Sequence, residues 1–293
     1  MRADHPRGPR APHPETILNL GSMKVLLTND DGIQAQGLNT LRRALLEAPG
    51  VELSVIAPDS NRSATARSIT TRRPLWVEEV EFGDGTSGFA TDGTPVDCVR
   101  FASLGLVEFQ PELIVSGINH GSNLGDDITY SGTVAAALEG IVLGIPALAV
   151  SQQADRAGLS YHHEGTFDFD AVASFTARIV EELDNFPMPP ETLININCPA
   201  GEVKGATVTK LGKRRYNDAL ELEEEDPSGR KRYRIYGMEP TYVPEDGTDL
   251  TAVHEGCISL TPVHFDLTDV SGVEALSQFD FARLLRPAAR ELD

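Results

Sequence analysis

Lys24–Thr28 reads KVLLT and is followed at once by Asn29-Asp30-Asp31-Gly32, or NDDG. A short, continuous apolar run of this kind is typical of a strand that is buried on both faces. Leu38, Leu41 and Leu45 then recur at the spacing of one helix face. This stretch therefore predicts the first strand–helix unit of an α/β protein.

The same alternation continues along the chain. Four further apolar runs are predicted to be core strands: Leu53–Ala57, Leu113–Val115, Ala147–Val150 and Leu193–Ile196. Helical patterns separate most of them, and Thr94-Pro95-Val96-Asp97 has the residue types of a capped helix start. Strands that alternate with helices imply right-handed crossovers, so we predict an α/β fold with a mostly parallel sheet covered on both faces.

The pattern changes after Pro199. Segments at Thr207–Leu211, Arg232–Tyr236 and Cys257–Pro262 have the composition of strands, and a helical pattern returns only at Gly272–Leu285. Charged turns separate these segments. They predict a C-terminal antiparallel hairpin extension that ends in a terminal helix.

The chain is accordingly divided into three parts. Residues 1–22 have four prolines in the first fourteen positions, which favours a disordered tail. Residues 23–200 form the α/β domain that carries the chemistry, and residues 201–293 form the extension, which we expect to complete the sheet and build an oligomer.

Three charge blocks lie in the extension. The acidic run is Glu221–Asp226, and the basic clusters are Lys213-Arg214-Arg215 and Arg230-Lys231-Arg232. Charge blocks are usually exposed, so we expect solvated hairpin faces. The alternative is that the basic clusters hold an anionic substrate or a neighbouring subunit.

Composition excludes several classes of partner. The 293 residues carry 25 Lys+Arg against 44 Asp+Glu, a formal net charge of −19. This excess argues against binding a nucleic-acid polymer or an anionic membrane surface. It still allows a small phosphorylated ligand, because a metal or a local pocket can reverse the field.

Cysteine usage and hydropathy bear on the compartment. Cys98, Cys198 and Cys257 are odd in number and far apart, which favours buried, reduced thiols in the cytoplasm. The most apolar stretch, Ile141–Val150, is too short to span a bilayer and contains Pro146. We expect a cytoplasmic protein without a membrane segment.

The NDDG loop is the first candidate site. Ligands of open parallel sheets bind outside the carboxyl ends of the strands, and this loop directly follows the first strand. Asp30 and Asp31 repel each other there, and a hard divalent cation such as Mg²⁺ or Mn²⁺ would relieve the repulsion. The alternative is an ordinary Asx turn that leads into the helix.

Three other loops carry groups suited to an anion or a cation. Pro58–Thr70 is rich in hydroxyls and includes Arg62 and Arg67, which suit phosphate. Ser116–Gly125 is rich in glycine and asparagine, whose amides offer neutral oxygen ligands and donors. Ser131-Gly132-Thr133 opens a helix, where free N–H groups favour an anion. A polar surface loop and a simple helix cap are the respective alternatives.

The sequence lacks the motifs that other enzyme classes on such a sheet would need. The first loop does not supply G-x-G-x-x-G, so metal-free hydride transfer on this sheet is disfavoured. No phosphate-binding G-x-x-x-x-G-K-[ST] and no G-x-S-x-G nucleophile elbow occur. His162-His163 could bind a soft metal, but a polar loop is the simpler interpretation.

Several motifs together resemble the SurE (survival protein E) family of 5′/3′-nucleotidases. They are NDDG after a strand, PDxxRSA, TDGTPxDCV, PELIVSGINxGxNLG and SGTVAAALEG, and they span about residues 23–151. TPVHFDLTD extends the resemblance weakly into the C-terminal part. The resemblance implies a Rossmann-like, three-layer α/β fold and a divalent-metal-dependent phosphatase that acts on nucleoside monophosphates. It also implies subunits that exchange C-terminal segments to form a homodimer or homotetramer.

The resemblance also assigns residues. One Mg²⁺ or Mn²⁺ per subunit would be bound by Asp30, Asp31, Ser63 and Asn119. The phosphate-facing positions would be Asn29, Asn123, Ser131, Gly132 and Thr133. The Pro-rich tail has no counterpart in the family, and Ala66 stands where the family often has glycine.

We therefore predict hydrolysis of nucleoside 5′-monophosphates, with 3′-monophosphates as a second candidate substrate, by in-line attack of water. Asp30 is expected to accept a proton from the water, and Asn123 to stabilise charge on the phosphoryl oxygens. A phosphoaspartyl route is the mechanistic alternative, although the NDDG loop lacks the D-x-D spacing expected for it. The functional alternative is a nucleotide-sensing module that binds without catalysis.

Overall fold

The computed structural model describes residues 22–155, 165–216, 219–235 and 241–285. Apart from Ser22, the predicted tail lies outside these residues, as does His162-His163. The described strands are β1 Met23–Thr28, β2 Val51–Pro58, β3 Val77–Glu81, β4 Ser87–Thr91, β5 Leu113–His120, β6 Ala147–Gln152, β7 Thr192–Cys198, β8 Gly205–Val208, β9 Arg214–Arg215, β10 Glu221–Glu225, β11 Lys231–Arg234, β12 Thr241–Tyr242 and β13 Cys257–His264. The α-helices are α1 Gln36–Glu47, α2 Pro95–Ser103, α3 Gly132–Val142, α4 Asp170–Glu181, α5 Asp249–His254 and α6 Val270–Ser277.

The main sheet has the order β3-β4-β2-β1-β5-β6-β7-β13-β8. The six strands from β4 to β7 in this order are parallel to their neighbours, and β3 and β13 pair with them in the antiparallel sense. β2, which follows β1 in the chain, lies on one side of β1 in the sheet, and β5 lies on its other side. This reversal of strand order opens a crevice at the carboxyl ends of β1 and β5, where ligands bind in sheets of this type.

Side-chain alternation along β1 builds the three layers. Val25 and Leu27 lie in the core between the sheet and helices α1 and α4, whereas Leu26 lies in the core beneath α2 and α3. All three side chains are fully buried. A strand that is apolar on both faces can be accommodated only between two helical layers, which confirms the predicted α/β fold.

The C-terminal extension completes the main sheet, as expected, and differs from the prediction in one additional helix. The main sheet continues past residue 200, because β13 pairs antiparallel with β7 and β8 pairs parallel with β13. A short helix that the sequence pattern did not indicate, α5, precedes β13. The antiparallel hairpin itself is present as β10 and β11.

The charge blocks have two different environments. Hairpin β10–β11 is exposed, and Glu224 and Arg232 face each other across it at 3.2 Å, as expected for a solvated face. Arg214 is the exception, since its side chain is buried and ion-paired with Asp127. Asp127 also accepts a 2.7 Å hydrogen bond from the Tyr216 hydroxyl. The expectation of a solvated cluster was therefore wrong for Arg214, whose charge is paired inside the protein.

The last segment lies on the surface. We define the C-terminal arm as residues 265–285, which include α6 and a short 3₁₀ helix at Phe281–Leu285. α6 has no buried residue, and the terminal helix expected from the sequence is thus present but unpacked. Among the described residues, no helix is long and apolar enough to cross a membrane.

Candidate metal and phosphate site

The predicted site residues gather at the crevice between β1 and β5. β1 ends at Thr28, whose register partner on β5 is Ser116, and each strand then continues into a polar loop. Asp30 and Asp31 follow β1, and Asn119 lies at the end of β5. Residues that are about ninety positions apart in the sequence thus meet at one edge of the sheet.

Asp30 is buried against the N-terminus of α3. Its carboxylate accepts a hydrogen bond from the Thr133 hydroxyl. A Cβ placed on Gly132 would lie 2.7 Å from Asp30 Oδ2, so only glycine permits this approach. Burial, followed by repulsion from Asp31, raises the pKa of Asp30 to about 6, although the bond from Thr133 opposes the rise.

Asp31 is held by two neutral donors. The Asn61 amide donates to Oδ1 at 3.1 Å, and the backbone N–H of His120 donates to Oδ2 at 3.0 Å. Burial raises the pKa of Asp31, and these two hydrogen bonds oppose the rise. Adjacent carboxylates in such a setting are costly for the fold, since no Lys or Arg among the described residues pairs with them.

This donor set fits a hard divalent cation. Within the part of the chain that the structure describes, neither aspartate forms an ion pair with a Lys or Arg, and no cluster of three His, Cys, Asp or Glu side chains is suited to a metal. The site instead combines two carboxylates with neutral oxygens. Mg²⁺ and Mn²⁺ accept few protein oxygens and retain water and substrate oxygens, so Asp30, Asp31, Asn119 and Ser63 suit them.

The loop after β2 places Ser63 beside the aspartates. The backbone N–H of Arg62 donates to the Asp30 carbonyl at 2.7 Å. The Asn61 side chain connects Asp31 with Ser63, because its amide nitrogen donates to Asp31 Oδ1 and its Oδ1 accepts from the Ser63 backbone N–H at 2.8 Å. Ser63 is exposed, so its hydroxyl is accessible to a ligand. Asn61, which sequence reasoning missed, therefore links the two halves of the proposed metal site.

Asn119 and Asn123 have distinct settings. The Asn119 amide nitrogen donates to the Gly121 carbonyl at 2.7 Å. The Asn119 side-chain oxygen points away from this bond and is therefore available as a ligand. The Asn123 amide nitrogen donates to the Ser151 hydroxyl at 2.8 Å. Ser151 pairs with Asn119 across β5 and β6, so the two asparagines lie close together.

Three predicted phosphate contacts act differently. The amide of Asn29 bonds to both the N–H and the carbonyl of Gly32, so this buried side chain closes the NDDG turn. The Thr133 hydroxyl is directed at Asp30. The Ser131 hydroxyl caps α3 by accepting from Val134 N–H at 3.1 Å. Hydroxyls and amides at a turn or helix start satisfy the nearest backbone groups first, as Asn29 and Ser131 do here.

The two loop arginines also differ from the expectation that they would hold phosphate. Arg62 pairs with Asp59 at 2.8 Å. Arg67 pairs with the buried Glu139 of α3 at 2.7 Å, and its guanidinium lies 4.5 Å from the centre of the Phe265 ring. A carboxylate partner and a ring face contact the guanidinium of Arg67, so this side chain anchors the loop.

Sequence reasoning also missed His120. Its ring stacks on Phe167 and Phe169, with ring centres 5.2 and 4.9 Å away, and its Nε2 accepts from Gly37 N–H at 3.1 Å. Burial lowers the pKa of His120. His120 connects α1 to the end of β5 and thereby fixes its own backbone N–H, from which Asp31 accepts a hydrogen bond. A histidine within a glycine-rich loop gave no sequence signal for this role.

Comparison with known proteins bears on the chain as a whole. The family model described as "Survival protein SurE" matches residues 25–218. A protein of Rubrobacter xylanophilus named "5′-nucleotidase SurE" is 49% identical over 267 residues, covering 90% of this chain and 99% of its own. A protein of the same name from Pelotomaculum thermopropionicum is 46% identical over 262 residues, covering 87% and 95%. The crystal structure of the SurE protein from Aquifex aeolicus superposes with a TM-score of 0.72 at 38% identity, covering 87% of this chain and 98% of that one.

Proposed function

The chain belongs to the SurE family, and from that membership we propose that it is a 5′-nucleotidase, a phosphoric monoester hydrolase that releases phosphate from nucleoside monophosphates. The observation that carries this proposal is the pair of Asp30, which is buried, and Asp31, which is partly buried, at the switch point of the sheet, with no Lys or Arg paired to either among the described residues. A pocket that only bound a phosphate would gain nothing from two carboxylates beside it. A pocket that brings a cation to the phosphate requires them.

The proposed cofactor is one Mg²⁺ or Mn²⁺ per subunit, bound by Asp30, Asp31, Ser63 and Asn119. When bound, such a cation polarises the phosphoryl group and lowers the pKa of water. Asp30 would then accept the proton of the attacking water, with its carboxylate oriented by Thr133. The second N–H of the Asn123 amide would donate to a phosphoryl oxygen, while the first stays on Ser151.

Phosphate release distinguishes catalysis from nucleotide sensing. The purified protein is incubated with AMP, GMP and 3′-AMP in the presence of Mg²⁺, Mn²⁺ or excess EDTA, and free phosphate is measured. We expect release with a divalent cation and none with EDTA. Saturable AMP binding without any release would identify a sensing module and overturn the proposal.

Substitution of Asp30 tests the site itself. In Asp30→Asn, loss of one ligand charge should lower kcat by about 100-fold or more and weaken Mn²⁺ binding. Calorimetry with Mn²⁺ and phosphate release with AMP are the measurements. Asp184→Asn, on an exposed turn after α4, is the matched control and should behave as wild type. Full activity of Asp30→Asn at saturating Mn²⁺ would show that Asp30 is not required.

The oligomer and the compartment are part of the same proposal. We assign catalysis to residues 23–200 and assembly into a homodimer or homotetramer to residues 201–293, because the C-terminal arm exposes apolar side chains and buries none on α6. All three cysteines are free, which supports a reducing compartment such as the cytoplasm.

A further inference from the structure

Two asparagines of β7 surround the peptide of Asn123. Asn195 and Asn197 are fully buried and alternate with Ile194 and Ile196, so both amides lie on one face of the strand. Asparagine is unfavourable in strands. Two of them in the middle of a core strand therefore need a reason other than strand formation.

The hydrogen bonds supply that reason. Asn197 uses both ends of its amide on one residue, since its Oδ1 accepts from Asn123 N–H at 2.7 Å and its Nδ2 donates to the Asn123 carbonyl at 3.0 Å. Asn195 Nδ2 donates to the same carbonyl at 2.9 Å. The N–H and both acceptor positions of the Asn123 carbonyl are thus occupied, and this residue ties the loop to β7.

The arrangement has a cost that a purely structural one would avoid. Within the described residues, Asn195 Oδ1 is buried and has no hydrogen-bond partner. A buried oxygen without a hydrogen-bond partner destabilises a fold. Valine or isoleucine at position 195 would pack without leaving an unpaired oxygen. The asparagine there lowers local stability but makes the hydrogen bond to Asn123.

We propose that Asn197, assisted by Asn195, is a positioning residue for phosphoryl transfer: it fixes the backbone of Asn123 so that the Asn123 amide reaches the phosphate beside Asn119. The inference rests on the proposed function. Preorganised donors contribute to catalysis only when they are held in place before charge develops on the phosphoryl oxygens. Asn197 itself touches neither substrate nor cation and acts entirely through Asn123.

A double-mutant cycle tests the proposal. Asn197→Ala should lower kcat for AMP by about 10-fold or more, with the Mn²⁺ dissociation constant within about threefold of wild type. In the background of Asn123→Ala the same substitution should have almost no further effect, because the group that it positions is gone. Equal loss of kcat in both backgrounds would mean a general structural role and would overturn the proposal.

Controls separate this result from simple unfolding. Ser259→Ala is the matched control, since Ser259 faces Asn197 across β13 and β7, is equally buried and has no bond to Asn123. It should retain wild-type kcat. If Asn197→Ala does not fold, Asn195→Ala, which leaves both Asn197 bonds in place, should give a smaller loss that also vanishes in Asn123→Ala. A loss that persists there overturns the proposal.

Failure of the two proposals can be told apart. If Asn123→Ala is fully active while Asp30→Asn is inactive, the nucleotidase function stands and the positioning role falls. If wild type releases no phosphate, the function falls, and the affinity for inorganic phosphate in the presence of Mn²⁺ becomes the readout. Asn197→Ala and Asn123→Ala should then weaken phosphate binding equally and without additivity. Unchanged or absent phosphate binding overturns the positioning role.

Discussion

The Thr133 hydroxyl is the donor on which the orientation of Asp30 depends. Thr133→Val keeps the shape of the side chain and removes this donor. We expect kcat to fall by about 10- to 100-fold, as is usual when a group that orients a metal ligand is lost. Thr133→Ser retains the hydroxyl and should keep most of the activity. Equal activity of the Val and Ser variants in phosphate release would exclude this role.

Ala66 carries a backbone strain that the family's glycine avoids. Its φ is +51°, in the left-handed region, and its N–H is held by the Tyr130 carbonyl at 3.1 Å. A left-handed conformation costs a non-glycine residue about 1 kcal/mol. Ala66→Gly should therefore raise the free energy of unfolding by up to about 1 kcal/mol, measured by urea titration.

Helix α1 offers the control of opposite sign for this prediction. Ala44 lies within the helix and has ordinary helical geometry. Ala44→Gly should lower the free energy of unfolding by about 1 kcal/mol, because glycine is a poor helix former. If both glycine variants are destabilised alike, position 66 is not strained in solution.

At the scale of elements, α1 packs unusually close to β5. A Cβ on Gly37 would lie 2.2 Å from the Ile118 carbonyl oxygen, which is backbone and cannot yield easily. Gly37→Ala should cost about 2–3 kcal/mol of unfolding free energy by forcing the helix away from the sheet. It should also disturb the Gly37–His120 bond beside Asp31. Denaturant unfolding and the affinity for Mn²⁺ are the two measurements.

Gly205 in β8 is the matched control for Gly37. A Cβ there would meet only Cys257 Sγ, at 4.0 Å, and the φ of Gly205 is not positive. Gly205→Ala should therefore change stability by less than about 0.5 kcal/mol. A loss similar to that of Gly37→Ala would mean that glycine removal in general, and not the contact with β5, is responsible.

Elements with strong local signals could be predicted from the sequence, and those that depend on distant contacts could not. Thr94 and Asp97 form the expected capping box at the start of α2. β4, by contrast, has the sequence SGFAT and no clear strand pattern, and it forms because β2 and β3 pair with it on either side. Helix α5 has only six residues, too few for a periodicity to be visible.

The candidate site divides in the same way. Asp30, Asp31 and Asn119 were predicted because strand-end position and residue chemistry suffice to place them. Asn29, Thr133 and Ser131 carry suitable atoms, yet nearby backbone or carboxylate groups use those atoms. Asn197 lies 74 residues from the Asn123 peptide to which it is hydrogen-bonded, and no local sequence pattern predicts that contact.

At the scale of the whole molecule, charge and apolar surface oppose each other. Each subunit carries a formal net charge of −19, so two copies repel. The C-terminal arm nevertheless exposes leucines that a monomer would not be expected to leave in water, with Leu267 at 91%, Leu276 at 61% and Leu285 at 86% exposure. Association that buries this arm must overcome the repulsion between subunits, and the balance between them depends on salt.

This balance gives a prediction for assembly. Val273→Glu combined with Leu276→Glu should convert the proposed oligomer into monomers, measured by light scattering after size exclusion, because the substitutions remove apolar area and add charge. Leu104→Glu is the control, since Leu104 is 82% exposed but lies outside the arm.

For wild type, raising the ionic strength should tighten association by screening like charges over about 10 Å. Association that weakens with salt would mean that ion pairs, and not the apolar arm, hold the subunits together.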